Sequence, residues 1–142
     1  MRILTIIVLS LIVASSAYAQ IDAFSLRSKY GSPLDRETFT VRPGIEIRVD
    51  YGPAKQACGI VMPMGISNVR DPSPDIITRE QMNEVLDDVV PASVRGKEIG
   101  RQFVGAGMAS IAVVMYEHVT IQERYHSSQI VVVFDDPACR ME

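Results

Sequence analysis

The residues with the greatest potential for chemistry in this chain are its two histidines, His118 and His126, which have the carboxylates Glu117 and Asp135 nearby in the sequence. Histidine is the commonest general acid or base in enzymes. The two histidines are eight positions apart, or about 26 Å along an extended strand, so they cannot hold one metal ion unless the chain folds back. We therefore expect solvent-exposed structural histidines. The alternative is a small hydrolase that uses either histidine with Glu117 or Asp135.

The sequence has none of the spacings that identify a serine nucleophile or a phosphate-binding loop. The segment Gly107–Ser110 lacks the second glycine of a nucleophile elbow. The Gly-Ala-Gly at 105–107 lacks a third glycine, and Gly96-Lys97 lacks the spacing of a Walker motif. We therefore predict no cofactor and no metal ion, and we favour a non-enzymatic role.

Cys58 and Cys139 are the two cysteines of the chain. In an oxidising compartment an even number of cysteines favours a disulfide. A bond that closes a loop of about 80 residues should stabilise the fold by roughly 4–5 kcal/mol in the chain-entropy treatment. A redox or metal-binding pair is the alternative, but neither cysteine belongs to a Cys-x-x-Cys motif or has histidines beside it.

The first 19 residues have the three parts of a secretory signal peptide. Arg2 provides the positive start, an apolar run extends from Ile3 to Val13, and Ala17-Tyr18-Ala19 is a small-x-small cleavage pattern. The run is shorter than the roughly 20 apolar residues that span a bilayer. We predict a periplasmic or secreted bacterial protein whose mature domain begins at Gln20.

The charge of the chain argues against two classes of partner. The formal net charge is −3 at neutral pH, whereas nucleic-acid-binding domains carry a basic patch. Polybasic segments are also what draws proteins to anionic lipid surfaces. We therefore predict no nucleic-acid partner. The sequence has no second long apolar run, so we also predict no transmembrane segment after signal cleavage.

The hydrophobic pattern predicts a single α+β domain at residues 20–142, with one antiparallel sheet of about five strands and two helices packed on one face. The predicted strands are 37–41, 45–51, 57–62, 111–122 and 129–134, and residues 101–110 fit either a twisted strand or a turn. One predicted helix covers 21–30, and Asp22 caps it. The other begins at a Thr78–Gln81 capping box and ends at Pro91. Its apolar stripe is Met82, Val85, Leu86 and Val89.

Three segments of the chain have a familiar pattern. They are 26–34 (LRSKYGSPL), 41–52 (VRPGIEIRVDYG) and 57–60 (ACGI). Together they resemble small exported bacterial proteins with no assigned role. The resemblance covers most of the mature chain and implies a bacterial envelope or secreted setting, and it carries over no catalytic residue.

We expect a non-enzymatic exported domain that binds or supports a cell-envelope or secreted protein, because the sequence contains no coherent catalytic set. The expected contact surface combines the loop 63–77 with the polar face of the strand 111–122. The contact residues predicted there are Met64, Arg70, Tyr116, His118 and Thr120. An inhibitor of a foreign or host hydrolase that presents the same loop is a further alternative.

Overall fold

The computed structural model describes residues 21–31, 38–67 and 76–139, except for the side chain of Met108. These residues form one seven-stranded antiparallel sheet and three α-helices. In chain order the elements are α1 (Ala23–Tyr30), β1 (Thr38–Arg42), β2 (Ile45–Tyr51), β3 (Ala57–Pro63), α2 (Arg79–Val89), α3 (Ala92–Arg95), β4 (Glu98–Val104), β5 (Ile111–Tyr116), β6 (Val119–Arg124) and β7 (Gln129–Phe134). None of the described helices is both long and apolar enough to cross a membrane. The predicted signal peptide lies outside the described residues.

The sheet consists of two meanders placed side by side. The strand order is β1-β2-β3-β7-β6-β5-β4, and every neighbouring pair is antiparallel. Strands β1 to β3 follow one another in sequence, as do β4 to β7, and the chain between the two groups contributes α2 and α3. The last strand, β7, therefore lies at the centre of the sheet beside β3, and β1 and β4 form the two edges.

The prediction of about five strands is wrong, and one reason is a hairpin within the segment 111–122. The chain reverses at Glu117 and His118, so the predicted single strand is two strands, β5 and β6, which pair with each other. The backbone N–H of Lys97 donates to the Glu117 carboxylate at 2.8 Å, and the N–H of His118 donates to the carbonyl of Arg95 at 3.1 Å. Glu117 interrupts the apolar alternation because it lies in this turn.

The second reason is β4, which lies in a region predicted to be irregular or undecided. Its burial pattern is exposed at every position except Gly100, so it lacks the alternation of buried and exposed residues that reveals a strand. The prediction of two helices is also wrong. The third helix, α3, is a single turn of four residues that follows Pro91, and so short a segment has no apolar periodicity to detect.

The helices and one face of the sheet share a single hydrophobic core. Its fully buried members include Phe39, Ile47, Ile60, Met82, Val85, Val119, Ile130 and Val132. The predicted capping box is present, because the Gln81 N–H donates to the Thr78 hydroxyl and the Thr78 N–H donates to the Gln81 side chain. The predicted apolar stripe of α2 is buried along its whole length, and this confirms the helix.

A polar cluster on Asp88 holds α1 against α2. Asp22 caps α1 by accepting a hydrogen bond from the Ser25 N–H at 2.7 Å, as predicted. At the other end of α1, Lys29 Nζ donates to Asp88 Oδ1 at 2.7 Å and the Tyr30 hydroxyl donates to Oδ2 at 2.8 Å. These two hydrogen bonds, that from Lys29 first, hold the pKa of Asp88 below its usual value.

Replacing Asp88 by Asn should make stability less dependent on pH in the acid range. Because the pKa of Asp88 is lowered by folding, its contribution is present above the ordinary aspartate pKa and is lost as the pH falls through the lowered value. Lys29 and Asp88 are about half exposed, so the contribution should stay below about 1 kcal/mol. Urea unfolding at about pH 7 and about pH 2.5 should show a smaller loss on acidification in Asp88→Asn and in Lys29→Met than in the unsubstituted protein. Equal losses in all three proteins would contradict this.

The predicted disulfide between Cys58 and Cys139 is present, with their Cα atoms 5.3 Å apart. It joins the beginning of β3 to the segment that follows β7. Gly52 lies against this bond, since a Cβ at that position would be 2.7 Å from the Cys58 Sγ and 2.5 Å from the Gln56 Nε2. The disulfide therefore ties the segment after β7 to β3, and together with the Gln56 side chain it leaves no room for a larger residue at position 52.

Candidate functional site

Three exposed large apolar side chains lie on the edge strand β4. Ile99, Phe103 and Val104 are 66%, 64% and 56% exposed. Within the described part of the chain β4 pairs with β5 alone, so its outer edge carries backbone groups that no other strand binds. Edge strands of soluble proteins are usually short, charged or covered. A seven-residue edge with three exposed apolar side chains therefore marks a contact surface.

A groove of about 460 Å³ lies beside β4 on the face of the sheet that carries the helices. Its lining residues are Arg79, Arg101, Gln102, Phe103, Ala112, Val113, Val114 and Glu123. In the sheet register Phe103 is opposite Ala112, and Ala112 is opposite Glu123. Val114 is opposite the core residue Ile121. The Phe103 ring, the small Ala112 side chain and the Glu123 carboxylate therefore lie side by side across the floor of the groove.

The charged side chains of the groove form ion pairs. Arg79 forms a salt bridge with Glu123, and the Tyr125 hydroxyl donates to the same carboxylate at 3.1 Å. The hydrogen bond with Glu123 is the main reason that the pKa of Arg79 is raised above its usual value. Arg101 donates two hydrogen bonds to Glu98, at 2.5 and 2.7 Å. Because these pairs neutralise each other, the apolar surface between them is what a ligand would contact.

Phe103 is positioned at the rim of the groove by Tyr125. The two ring centroids are 6.3 Å apart and the rings are tilted by 60°, a geometry that aromatic pairs favour. Tyr125 is half-buried and packs against the core, so it orients the Phe103 ring without covering it. An aromatic side chain that is ordered before binding loses little entropy when it enters a partner's pocket.

The loop predicted to form part of the contact surface is described only at its two ends. Met64 is 6% exposed and belongs to the core, and Arg70 lies outside the described residues. The ends are joined to each other, because the Ile66 N–H donates to the carbonyl of Ile77 at 2.9 Å and Ile66 forms a parallel bridge with Thr78. The base of the loop is therefore anchored to the start of α2.

The other predicted contact residues occupy three different places. Tyr116 is half-buried and packs against the core, with the Arg95 guanidinium 5.9 Å from its ring centroid. His118 lies in the turn between β5 and β6. Thr120 precedes the buried Ile121, so it projects from the opposite face of the sheet. Because the chain reverses after Tyr116, these residues do not form the single polar strip that one continuous strand would give.

Three residues of the hydrolase alternative, His118, Glu117 and Asp135, lie at one end of β6, and His126 lies at the other. Glu117 is beside His118 in the turn, and the Asp135 N–H donates to the carbonyl of His118 at 2.9 Å. His126 follows β6 and is separated from His118 by about 20 Å of strand. The Glu117 carboxylate accepts the hydrogen bond from Lys97 that holds the turn. Across residues 21–31, 38–67 and 76–139, no group of three or more His, Cys, Asp or Glu side chains could hold a metal ion.

The groove residues were not found by reasoning from the sequence. The sequence predicts Arg79 only as part of a capping box, and it predicts Glu123 only as a carboxylate near the histidines, just after the strand 111–122. A usable signal was present in β4, where Ile99, Phe103 and Val104 lie among charged and polar residues. Large apolar side chains on both faces of a polar strand do not fit a strand with one buried face, and they indicate an exposed contact surface.

Comparisons with protein-family models, with curated proteins and with solved structures find no match for this chain. The similarity of residues 26–34, 41–52 and 57–60 to exported bacterial proteins therefore stays a prediction. The function has to be inferred from the groove and from the edge strand that borders it.

Proposed function

We propose that this protein is a non-enzymatic exported domain that binds a cell-envelope or secreted protein through the β4 groove. The observation that carries the proposal is Phe103, whose ring is 64% exposed at the rim of the groove. Protein contact sites commonly have an aromatic centre and a polar rim. The ion pairs of Arg79 with Glu123 and of Arg101 with Glu98 provide that rim.

Export is supported by the disulfide together with the pattern of the first 19 residues. Disulfides form and persist in oxidising compartments such as the bacterial periplasm and the extracellular space. The bond between Cys58 and Cys139 fits such a compartment. The partner is accordingly a protein of the cell envelope or of the medium, and it supplies an apolar pocket for the Phe103 ring.

Phe103→Ser should weaken partner binding by at least about tenfold, because an aromatic anchor at the centre of an interface accounts for about 2 kcal/mol or more of binding energy. The tagged protein is used to capture its partner from envelope and medium extracts. The captured protein is identified by mass spectrometry and purified, and its dissociation constant is measured by calorimetry for each variant.

Phe24→Ser is the matched control for this experiment. Phe24 is 80% exposed on α1, which does not line the groove. Both substitutions replace an exposed ring, so both variants should stay folded, and Phe103→Ser should lose no more than about 1.5 kcal/mol through its contact with Tyr125. Equal affinities of the Phe103→Ser and Phe24→Ser variants for the purified partner would refute the proposal. So would the failure of both extracts to yield a partner.

A further inference from the structure

The outer edge of β4 combines features that favour pairing with another strand. A free edge presents alternating N–H and C=O groups that a second strand can bind. In β4 this edge is seven residues long, and the other edge strand, β1, has five residues. The exposed apolar residues of β4 lie on both faces of the sheet, so a strand added at this edge would cover apolar surface on both sides.

The regular part of β4 has a definite centre. A bulge between Glu98 and Gly100 interrupts its register with β5 at one end. At the other end Gly105 leaves the strand with a φ of +95°. The segment Gly100–Val104 remains, and its middle residue is Gln102. Two copies of one strand that pair antiparallel about a two-fold axis place the central residue opposite itself, so an axis at Gln102 uses every residue of the segment.

In that register each side chain meets a complementary one. Val104 lies opposite Gly100 of the second copy, where the missing side chain leaves room for it. Arg101 lies opposite Phe103 of the second copy, so the aliphatic part of the arginine side chain, whose guanidinium stays bound to Glu98, can pack beside the aromatic ring in two symmetric pairs. Gln102 lies opposite Gln102, and each amide can both donate and accept a hydrogen bond.

The neighbouring registers are less favourable. An axis at Arg101 pairs Phe103 and Val104 with Ile99 and Glu98, which lie at the bulge outside the regular segment. An axis at Phe103 places Arg101 opposite Gly105, which lies outside the regular segment, and leaves Gly100 without a partner in that segment. The register centred on Gln102 is therefore the one that the sequence of β4 favours.

We propose that the protein forms a two-fold dimer by antiparallel pairing of Gly100–Val104 with the same segment of a second copy, centred on Gln102. The axis is perpendicular to the sheet, so the two sheets become one continuous sheet. Both grooves then lie on the same face, one on each side of the axis. The dimer contains only this protein, so it is a separate proposal from the binding of an envelope or secreted partner. Either proposal can be wrong while the other is right.

The isolated protein, with its disulfide intact, should show this dimer by sedimentation equilibrium. Pairing over five residues buries less than the roughly 1,600 Å² of a standard interface, so we expect a dissociation constant on the order of 10–100 μM. Because no envelope protein is present, a missing dimer and a missing partner interaction are separate results. A protein that stays monomeric at about 1 mM, well above that constant, would overturn the proposal.

Charge substitutions at Gln102 test the position of the axis. Gln102→Lys and Gln102→Glu each place two like charges opposite each other, so each variant alone should dimerise at least tenfold more weakly. An equimolar mixture should recover a heterodimer, because opposite charges then meet at the axis. Gln102 is exposed on β4, and thermal unfolding checks that both variants are folded. A dimer that tolerates both single substitutions would overturn the proposed axis.

Cysteine substitution tests the register independently of dimer strength. In Gln102→Cys the two new cysteines face each other at about 4.5–5.5 Å between Cα atoms, within the range that a disulfide bridges. In Arg101→Cys and Phe103→Cys each cysteine is offset from its counterpart by two residues, roughly 7 Å along the strand. Oxidation should therefore crosslink the Gln102→Cys protein at least tenfold faster. Equal crosslinking rates at all three positions would overturn the register.

Discussion

Removal of the Cys58–Cys139 disulfide should lower the free energy of unfolding by about 4 kcal/mol. The bond spans 81 positions of sequence, and the chain-entropy treatment gives more than 4 kcal/mol for a closed loop of that length. A small domain has only about 5–15 kcal/mol of stability in total. The double substitution Cys58→Ala and Cys139→Ala should therefore shift the urea midpoint strongly, and it should leave the far-ultraviolet circular dichroism of the folded state unchanged.

The unsubstituted protein treated with a thiol reductant is the control for this experiment. Reduction breaks the same bond without changing a residue, so its stability should fall to that of the double variant. If the introduced alanines themselves changed the packing, the reduced protein and the double variant would differ in their free energies of unfolding. A loss below about 1 kcal/mol in both samples would show that the bond does little to restrict the unfolded chain.

Met82→Ala should destabilise the protein by about 2–5 kcal/mol. Met82 is 0% exposed and is the first residue of the apolar stripe by which α2 packs on the sheet. Truncation of a buried side chain loses its transfer free energy and leaves a cavity that its neighbours fill only in part. Urea unfolding followed by circular dichroism measures the difference.

Asn83→Ala is the matched control on the same helix. Asn83 is the next residue and is exposed, so its replacement should change the free energy of unfolding by less than about 0.5 kcal/mol. If both substitutions had the same small effect, burial of the Met82 side chain would not stabilise the protein, and the prediction would be wrong.

The elements that could be predicted from the sequence are those with one buried face and a clear end. The strand β2 alternates between buried and exposed residues from Ile45 onward, and this alternation is visible in its residue types. Helix α2 combines a Thr78–Gln81 capping box with an apolar stripe. In both elements the apolar residues that the local pattern places on one face are the residues that the tertiary structure buries, so the sequence alone identifies the element and its buried face.

The elements that could not be predicted are those whose identity depends on residues far away. The turn at Glu117 and His118 is stabilised by backbone groups of Arg95 and Lys97, about 20 positions earlier in the chain. The strand β4 is extended because its backbone forms hydrogen bonds with β5. Since it buries no face of its own, no window of its sequence distinguishes it from a loop.

The candidate site was missed for the same reason. Arg79, Phe103 and Glu123 belong to α2, β4 and β6, and only the register of the sheet together with the packing of α2 brings them to one groove. The residue types alone were unremarkable, because an arginine at a helix start and a glutamate near a strand end are common. The disulfide could be predicted because a chain with two cysteines allows one pairing within itself.

The central place of β7 determines the order in which the molecule can be completed. A ribosome makes β3 more than 60 positions before β7, and until then the flank of β3 that β7 will occupy is an open template for the wrong strand. Only when β7 is present can the two halves of the sheet join. Cys139 follows β7 closely, so its disulfide with Cys58 can form only after β7 has paired with β3. A chain cut before β7 would have neither the pairing of β3 with β7 nor the disulfide, and it would be a substrate for proteases rather than a weakened version of the protein.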